Sequence, residues 1–433
     1  MMTGPRFSDH LNHLRLIQTV ALQAADAGRS VAEQLQLRPG GFSAGRHSIS
    51  LIPKSRLFVV ATGKAAPAMC KAAVDVMGSR IDQGIAAVPR WTSDHAPAGL
   101  TYIPAGHPHP DEGSLIGGRA VETMLAETVE GDVLLALVSG GGSSMLEIPR
   151  GGIGLPELQE LNGLLLRSGA PIEEINIVRS ALSQIKSGGL ARLAAPARTV
   201  ALILSDVVGD RLSSIASGPT ALRSPQPRLA RQVLEEHNLW SHVPPAIREA
   251  LTVTPTTPAP APRPTNVLIG SNRVALDAAM QAASGLGFAP RVIRRRMAGA
   301  ARSVGGLFGS RLTRTSPPAC LLMGGETTVM VRGQGIGGRN QELALSAALT
   351  LDGSFGRALM ALATDGVDGP TDAAGAVVTS ETAGRAREAG LDPEAALEDN
   401  DAYPTLDRLG ALIRIGPTGT NVNDLVVGLV YSG

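Results

Sequence analysis

Aromatic residues make up only 3% of this chain, too few for the stacked platforms on which single-stranded nucleic acids bind. Its core must instead be built from Ala, Val, Leu and Ile, which a 43% hydrophobic content supplies. Cysteine is nearly missing. Cys70 and Cys320 are the only two, which excludes a disulfide framework and a cysteine-held zinc site and marks both as expected core thiols. No apolar run approaches the roughly 20 residues of a membrane-spanning helix. Met1 to His10 carries no basic-then-apolar leader, so the expectation is a cytoplasmic protein with no membrane partner. The formal charge is +1 with acids and arginines interspersed, which argues against a nucleic-acid partner. Lysine is the sharpest shortage: Lys54, Lys64, Lys71 and Lys186 are the only four among 39 basic residues. Two of them stand beside glycine motifs, where a chemical reason and chance placement both remain open.

A length of 433 residues exceeds what one core usually serves and implies two domains. After an amphipathic helix expected from Asp9 to Gln36, short apolar strands, glycine-rich loops and helices alternate, the pattern of an α/β protein with a mostly parallel sheet. Arg56 to Ala61, Val133 to Val138 and Thr199 to Leu204 read as buried strands, and each empties into a polar loop, where open α/β sheets place ligands. Thr252 to Pro264, rich in Pro and Thr, reads as a linker. The expected division is a Rossmann-like N-terminal domain over 1–251, a linker over 252–264 and a second α/β domain over 265–433. In the second domain Asn266 to Gly270, Cys320 to Met323, Thr327 to Val331 and Ala358 to Ala363 read as strands, with an antiparallel hairpin before the glycine loop Gly333 to Gly338.

Several loops carry candidate chemistry. Lys64 follows a strand and is expected to open a helix, where a cation opposes the helix dipole unless an anion binds there; a solvated lysine is the alternative. Ser139, Gly140, Gly141, Gly142, Ser143 and Ser144 form a run able to wrap a phosphate, or a tight turn with glycine for steric reasons. Asp206 and Asp210 lie past a strand end in a composition suited to Mg²⁺, or are ordinary turn residues. Asp365, Asp368 and Asp372 crowd one loop, which makes either a cation site or a water-exposed segment. GQGIGG at Gly333 to Gly338 fits a dinucleotide pattern, yet Asp352 precedes the next strand instead of ending it, which argues against nucleotide binding of that kind. Arg339 looks like a fork for carboxylate or phosphate. No GxxxxGK[ST] or GxSxG motif occurs. His107 and His109 read as shaping a loop rather than as metal ligands.

The ordered blocks are more specific than any one loop: ATGKAAPAM at Ala61 to Met69, GHPHPDEGS at Gly106 to Ser114, SGGGSS, NIVRSALSQIKSGGLA at Asn176 to Ala191 and SDVVGDRLSSIASGPT from Ser205. GGETTVMVRGQGIGGRNQE at Gly324 to Glu342, TDGVDGPTDAAGA at Thr364 to Ala376 and GPTGTNVNDL at Gly416 to Leu425 complete the series. In this order they resemble the glycerate 2-kinase (MOFRL/DUF4147) family, with a Rossmann-like N-terminal domain and a C-terminal MOFRL domain. The resemblance implies two α/β domains with the active site in the cleft between, ATP and glycerate as small-molecule substrates, and Mg²⁺. It implies Lys64 and Arg339 as principal catalytic residues and SGGGSS as the phosphate loop. Asp206, Asp210, Glu326, Asn340, Asp365 and Asn421 then become cleft residues of unassigned role, Asp206 and Asp210 being the candidate metal ligands. Members of the family also carry the label hydroxypyruvate reductase, an NAD(P)H-dependent alternative, and a non-catalytic glycerate or nucleotide sensor is a third reading. A homodimer is compatible with all three. This chain departs from the family pattern at Ser180-Ala181, at the extra serine of IKSGG, and at Val208 and Arg211.

Overall fold

The computed structural model describes residues 5–92, 95–253 and 261–432, so most of the expected linker lies outside the described residues. Two compact units are present. One runs from Ala27 to Ile269; the other unites the segment up to Asp26 with everything from Gly270 onward.

The first unit holds a six-stranded sheet in the order Leu100–Ala105, Gln83–Pro89, Leu57–Thr62, Val133–Val138, Arg198–Leu204, Thr265–Gly270. Its first five strands run parallel. Leu57–Thr62 and Val133–Val138 are buried at every residue, as strands covered on both faces by helices must be. Numbered along the chain the order is 3-2-1-4-5-6, the doubly wound arrangement whose crevice opens where the strand order reverses. That reversal lies between Leu57–Thr62 and Val133–Val138, and the loops leaving them are Gly63-Lys64 and Ser139 to Gly142. Thr265–Gly270, expected to begin the second domain, is instead the edge of this sheet.

The long N-terminal helix is broken. His10–Ala24 and Ala27–Gln34 are separate helices, followed by a three-stranded antiparallel sheet over Leu35–Arg38, Gly41–Ala44 and His47–Ser50. The helix His10–Ala24, expected in the N-terminal domain, belongs to the other unit. There it buries Leu14, Ile17 and Ala21 and lies along the helix Asn272–Gly285. His13 Nδ1 is 3.0 Å from the Tyr431 hydroxyl, and Phe7 and Phe288 meet the Tyr431 ring edge-on. An amphipathic stripe states that a core will cover it, but not which one.

The second unit is built on a mixed sheet: Ala289–Met297, Ala319–Gly325, Asp424–Val430, Arg357–Ala363, Gly375–Thr379 and Leu412–Ile413. The first pair is parallel and the others antiparallel. Helices Ala301–Thr313 and Arg339–Leu351 bury their apolar faces on it. The expected strand Thr327 to Val331 and its hairpin do not form. Ala319–Gly325 is already paired on both edges, and Met330 and Val331 face solvent beyond a lone bridge from Ala300 to Thr328. Cys70 and Cys320 are buried in their separate units, and burial pushes both thiols up to about 12, far from reactivity.

Candidate active site

Each unit gathers part of the chemistry, and the first does so at its topological switch point. Lys64 does not open the helix. It occupies the turn ahead of Ala66–Met77, and its N–H donates to the Gly140 carbonyl at 2.8 Å while Ala65 N–H donates to Ser139 Oγ at 3.1 Å. The two loops are thus stitched together through the main chain. Glycine is required here by close approach: a Cβ on Gly140 would lie 1.9 Å from Asp206 Oδ2, and one on Gly141, at φ +83°, would lie 2.8 Å from the His107 ring and 3.3 Å from Lys64 Cγ. Lys64, Asp206 and His107 therefore surround SGGGSS.

The serines of this loop are engaged within it. Ser139 Oγ donates to the Thr62 carbonyl, Ser144 Oγ to the Gly141 carbonyl, and Ser143 Oγ is 2.7 Å from Ser217 Oγ. Among the described residues the N–H groups of Gly140 and Gly141 have no acceptor. Consecutive amides of that kind, beside a lysine, make an anion-binding concavity. Burial raises the Asp206 pKa, while its own backbone N–H and Lys64 draw it back. Burial, then Lys64 and Arg179, push His107 down to about 4, so its ring is neutral at neutral pH. Asp210 sits apart at φ +55° in a turn closed by its N–H to the Val207 carbonyl. Among the described residues no three His, Cys, Asp or Glu side chains converge as a metal cluster.

The second unit centres on Arg339, the first residue of the helix Arg339–Leu351. Its fork is already filled. Nε donates to Asp424 Oδ2 at 2.6 Å and Nη2 to Asp424 Oδ1 at 2.8 Å, while Glu326 Oε1 lies 3.1 Å from Nη1. Asp424 is fully buried at the start of a strand with seven buried residues. Burial works to lower the Arg339 pKa, and the hydrogen bonds and charge of Asp424, then Glu326, outweigh it and hold the guanidinium charged. Burial pushes Asp424 up to about 6, with Arg339 opposing, so the pair remains ionised at neutral pH.

The glycine loop before Arg339 is no dinucleotide cradle. Gly333 N–H donates to Asn400, Gln334 N–H to Asp399 and Ile336 N–H to Asp401, so side chains already occupy its amides. Asp368, fully buried, takes the N–H groups of Asn340 and Gln341 at 2.9–3.1 Å. A pyrophosphate would need that same helix terminus. Asp352 is a surface partner of Arg387 at 2.6 Å. The aspartate loop accordingly splits: Asp368 caps a helix, Asp372 pairs with Arg414 and Tyr403 at the surface, and Asp365 accepts from Val367 N–H. The loops bearing Asp365 and Asn421 are joined through Thr364, Thr418 and Asn423, and Asn423 Nδ2 reaches Glu326 at 3.5 Å. Arg339, Asn340, Glu326, Asp365 and Asn421 therefore belong to one neighbourhood. Asp424 lies in the GPTGTNVNDL block but is not among the expected site residues. The available signal was an acid opening the apolar run DLVVGLV, in a place where a lone charge is not tolerated.

Two family models match the chain: a domain of unknown function, DUF4147, over residues 13–252, and the MOFRL family over residues 319–424. A D-glycerate 2-kinase of Thermotoga maritima is 43% identical over 87% of this chain and 91% of its own. An Agrobacterium vitis protein provisionally named hydroxypyruvate reductase is 40% identical over 86% of this chain and 98% of its own. The crystal structure of a glycerate kinase from Thermotoga maritima superposes with a TM-score of 0.87 at 40% identity, covering 98% of this chain and all of that one.

Proposed function

The chain belongs to the glycerate 2-kinase family, and on that premise we infer that it transfers the γ-phosphoryl group of ATP to the C2 hydroxyl of D-glycerate, giving ADP and 2-phosphoglycerate. The observation that carries the reading is the 43% identity to a D-glycerate 2-kinase across 87% of the chain. In this reaction the C2 oxygen bonds to the γ-phosphorus while the bond from that phosphorus to the β,γ-bridging oxygen breaks, and the C2 hydroxyl proton is released. Positioning and charge stabilisation supply most of the rate.

Lys64 and the amides of Gly140 and Gly141 suit phosphate oxygens, the ammonium neutralising charge that the amides orient. The donor set at Asp206 suits Mg²⁺: a carboxylate against the glycine loop, its pKa raised by burial, is better ionised beside a hard cation. Asp206 would hold the ion with phosphate oxygens and waters, and the bound ion supplies neutralisation of the phosphates. Arg339, fixed by Asp424 and Glu326, keeps N–H groups on Nη1 and Nη2 for a carboxylate or phosphoryl oxygen. Asn340 helps orient the helix that presents it, through Asp368. Asp210, the other candidate ligand, is held in its own turn, and Asp365 and Asn421 retain unassigned roles. No described helix is long and apolar enough to cross a membrane, and the reading places the enzyme in the cytoplasm.

Activity should carry an acid limb centred near pH 6, because Asp424 and Asp368 titrate at about 6 and protonated Asp424 no longer holds both arms of Arg339. Both folded values lie above the unfolded 3.8. Their protonation therefore favours the fold, a contribution complete below 3.8 and lost as pH rises through about 6. The limb consequently reports disorientation of Arg339 and not unfolding. A kcat/KM profile flat from pH 7 down to about 5, in protein still folded by circular dichroism, would remove Asp424 from the account.

The test of the function is ADP release with D-glycerate, L-glycerate, tartronate and hydroxypyruvate as acceptors, run beside nicotinamide absorbance with hydroxypyruvate and NADH or NADPH. D-glycerate should give ADP, and the nicotinamide signal should stay still. Oxidation of NAD(P)H would establish the reductase instead, and ATP binding without ADP release would establish a sensor.

A further inference from the structure

The helix Ile172–Ala181 carries a charge that the proposed chemistry leaves unused. One face of it is docked on the glycine loop: Asn176 Oδ1 accepts from Ser217 Oγ at 3.2 Å, and Ser217 Oγ lies 2.7 Å from Ser143 Oγ. Arg179, three residues further on, projects from that same face. It is half-buried, and among the described residues its guanidinium makes no hydrogen bond and no ion pair.

The carboxylate that influences it is already engaged. Glu147 accepts from Ser183 Oγ through Oε1 at 2.6 Å and pairs through Oε2 with Lys186, a fully buried ammonium. Burial lowers the Arg179 pKa and Glu147 only partly compensates, while the charge of Arg179 reaches His107, which also feels Lys64. A position in the last helical turn accounts for a cation there. It does not account for withdrawing that cation from water without a partner, which is costly unless something answers the charge. The neutral His107 imidazole stands against Gly141, as Lys64 does, on the loop whose Gly140 and Gly141 amides have no acceptor among the described residues.

We propose that Arg179 is a further substrate-binding residue, its planar fork taking an oxyanion group, carboxylate or phosphate, beside the Gly140-Gly141 amides. The inference rests on the kinase reading only for which substrate brings the oxyanion. Arg179→Met and Arg179→Lys should be compared with the wild-type enzyme by steady-state KM for D-glycerate and for ATP, and by calorimetric titration with inorganic pyrophosphate and with D-glycerate. The expected result for Arg179→Met is a rise of about 10- to 100-fold in one of the two KM values, the worth of a charge-assisted hydrogen bond. Arg179→Lys should fall between, since it keeps the charge and loses the fork. A rise for glycerate identifies a carboxylate; a rise for ATP, with weakened pyrophosphate, identifies a phosphate. Constants within about twofold of wild type in Arg179→Met overturn the proposal. Should that variant fail to fold, wild-type constants in Arg179→Lys overturn it equally. Failure of the kinase reading looks different: wild-type protein would bind pyrophosphate through Arg179 yet release no ADP with glycerate.

Discussion

Lys64→Ala should lower kcat/KM by about 10²- to 10³-fold, the usual cost of removing one preorganised group that stabilises transition-state charge. The fold should survive, because alanine keeps the backbone N–H of residue 64 that ties this turn to the Gly140 carbonyl. A second readout needs no turnover. Burial is the main cause of the low His107 pKa and Lys64 the next, so in the variant the His107 imidazole should titrate above about 4 but short of the ordinary 6.5. Proton NMR of the histidine ring signals follows this directly. Near-normal kcat/KM, or an unmoved His107, would take Lys64 out of the site.

Arg339→Ala should cost at least as much activity and, unlike Lys64→Ala, should also damage the fold. Removing the guanidinium leaves Asp424 buried and unpaired, and breaking a buried pair in this way typically costs roughly 3–5 kcal/mol. The loss has a signed pH dependence. Without Arg339 to oppose burial, the Asp424 pKa must rise above its present value of about 6. The variant can then bury Asp424 cheaply only as the neutral acid, so its stability should fall as pH rises through that shifted pKa, and it should melt at a higher temperature at pH 5 than at pH 8. Thermal melts across that range, with kcat/KM at the permissive end, separate the two effects. Arg339→Ala/Asp424→Asn should recover stability without recovering activity, because the amide removes the stranded charge but not the need for a guanidinium. Recovery of both would assign Arg339 a purely structural role.

The parallel sheet was legible because a strand buried on both faces needs an unbroken apolar run, and Leu57–Thr62 and Val133–Val138 supply one each. The glycine loops were legible as well, since the chain approaches itself too closely at Gly140 for any side chain. Membership of a core was not. Nothing in the spacing of Leu14, Ile17 and Ala21 tells that they pack on a helix some 260 residues later, which requires knowledge of the tertiary pairing. The strand Thr265–Gly270 was misplaced for the same reason: a proline-rich stretch before it suggested a boundary that the sheet ignores.

Partnerships between distant charges were the other gap. Arg339 was visible as a fork, but Asp424, 85 residues away, was not visible as its occupant, nor was Asp368 as the cap that closes the helix terminus beside it. The GQGIGG loop shows how a motif can mislead: its glycines and amides serve the segment Asp399 to Asp401, and only the identity of that occupant separates it from a nucleotide cradle. Arg179 stands in the NIVRSALSQIKSGGLA block, yet its want of a partner among the described residues is a property of the folded chain that no motif conveys.

Phosphorus-31 NMR of the product formed from Mg·ATP and D-glycerate tests the central claim most directly. The account predicts ADP and a phosphomonoester resonance coupled to a single proton, that on C2, identifying 2-phosphoglycerate. A resonance coupled to the two C3 protons would contradict the assigned acceptor, and inorganic phosphate alone would contradict transfer to glycerate altogether.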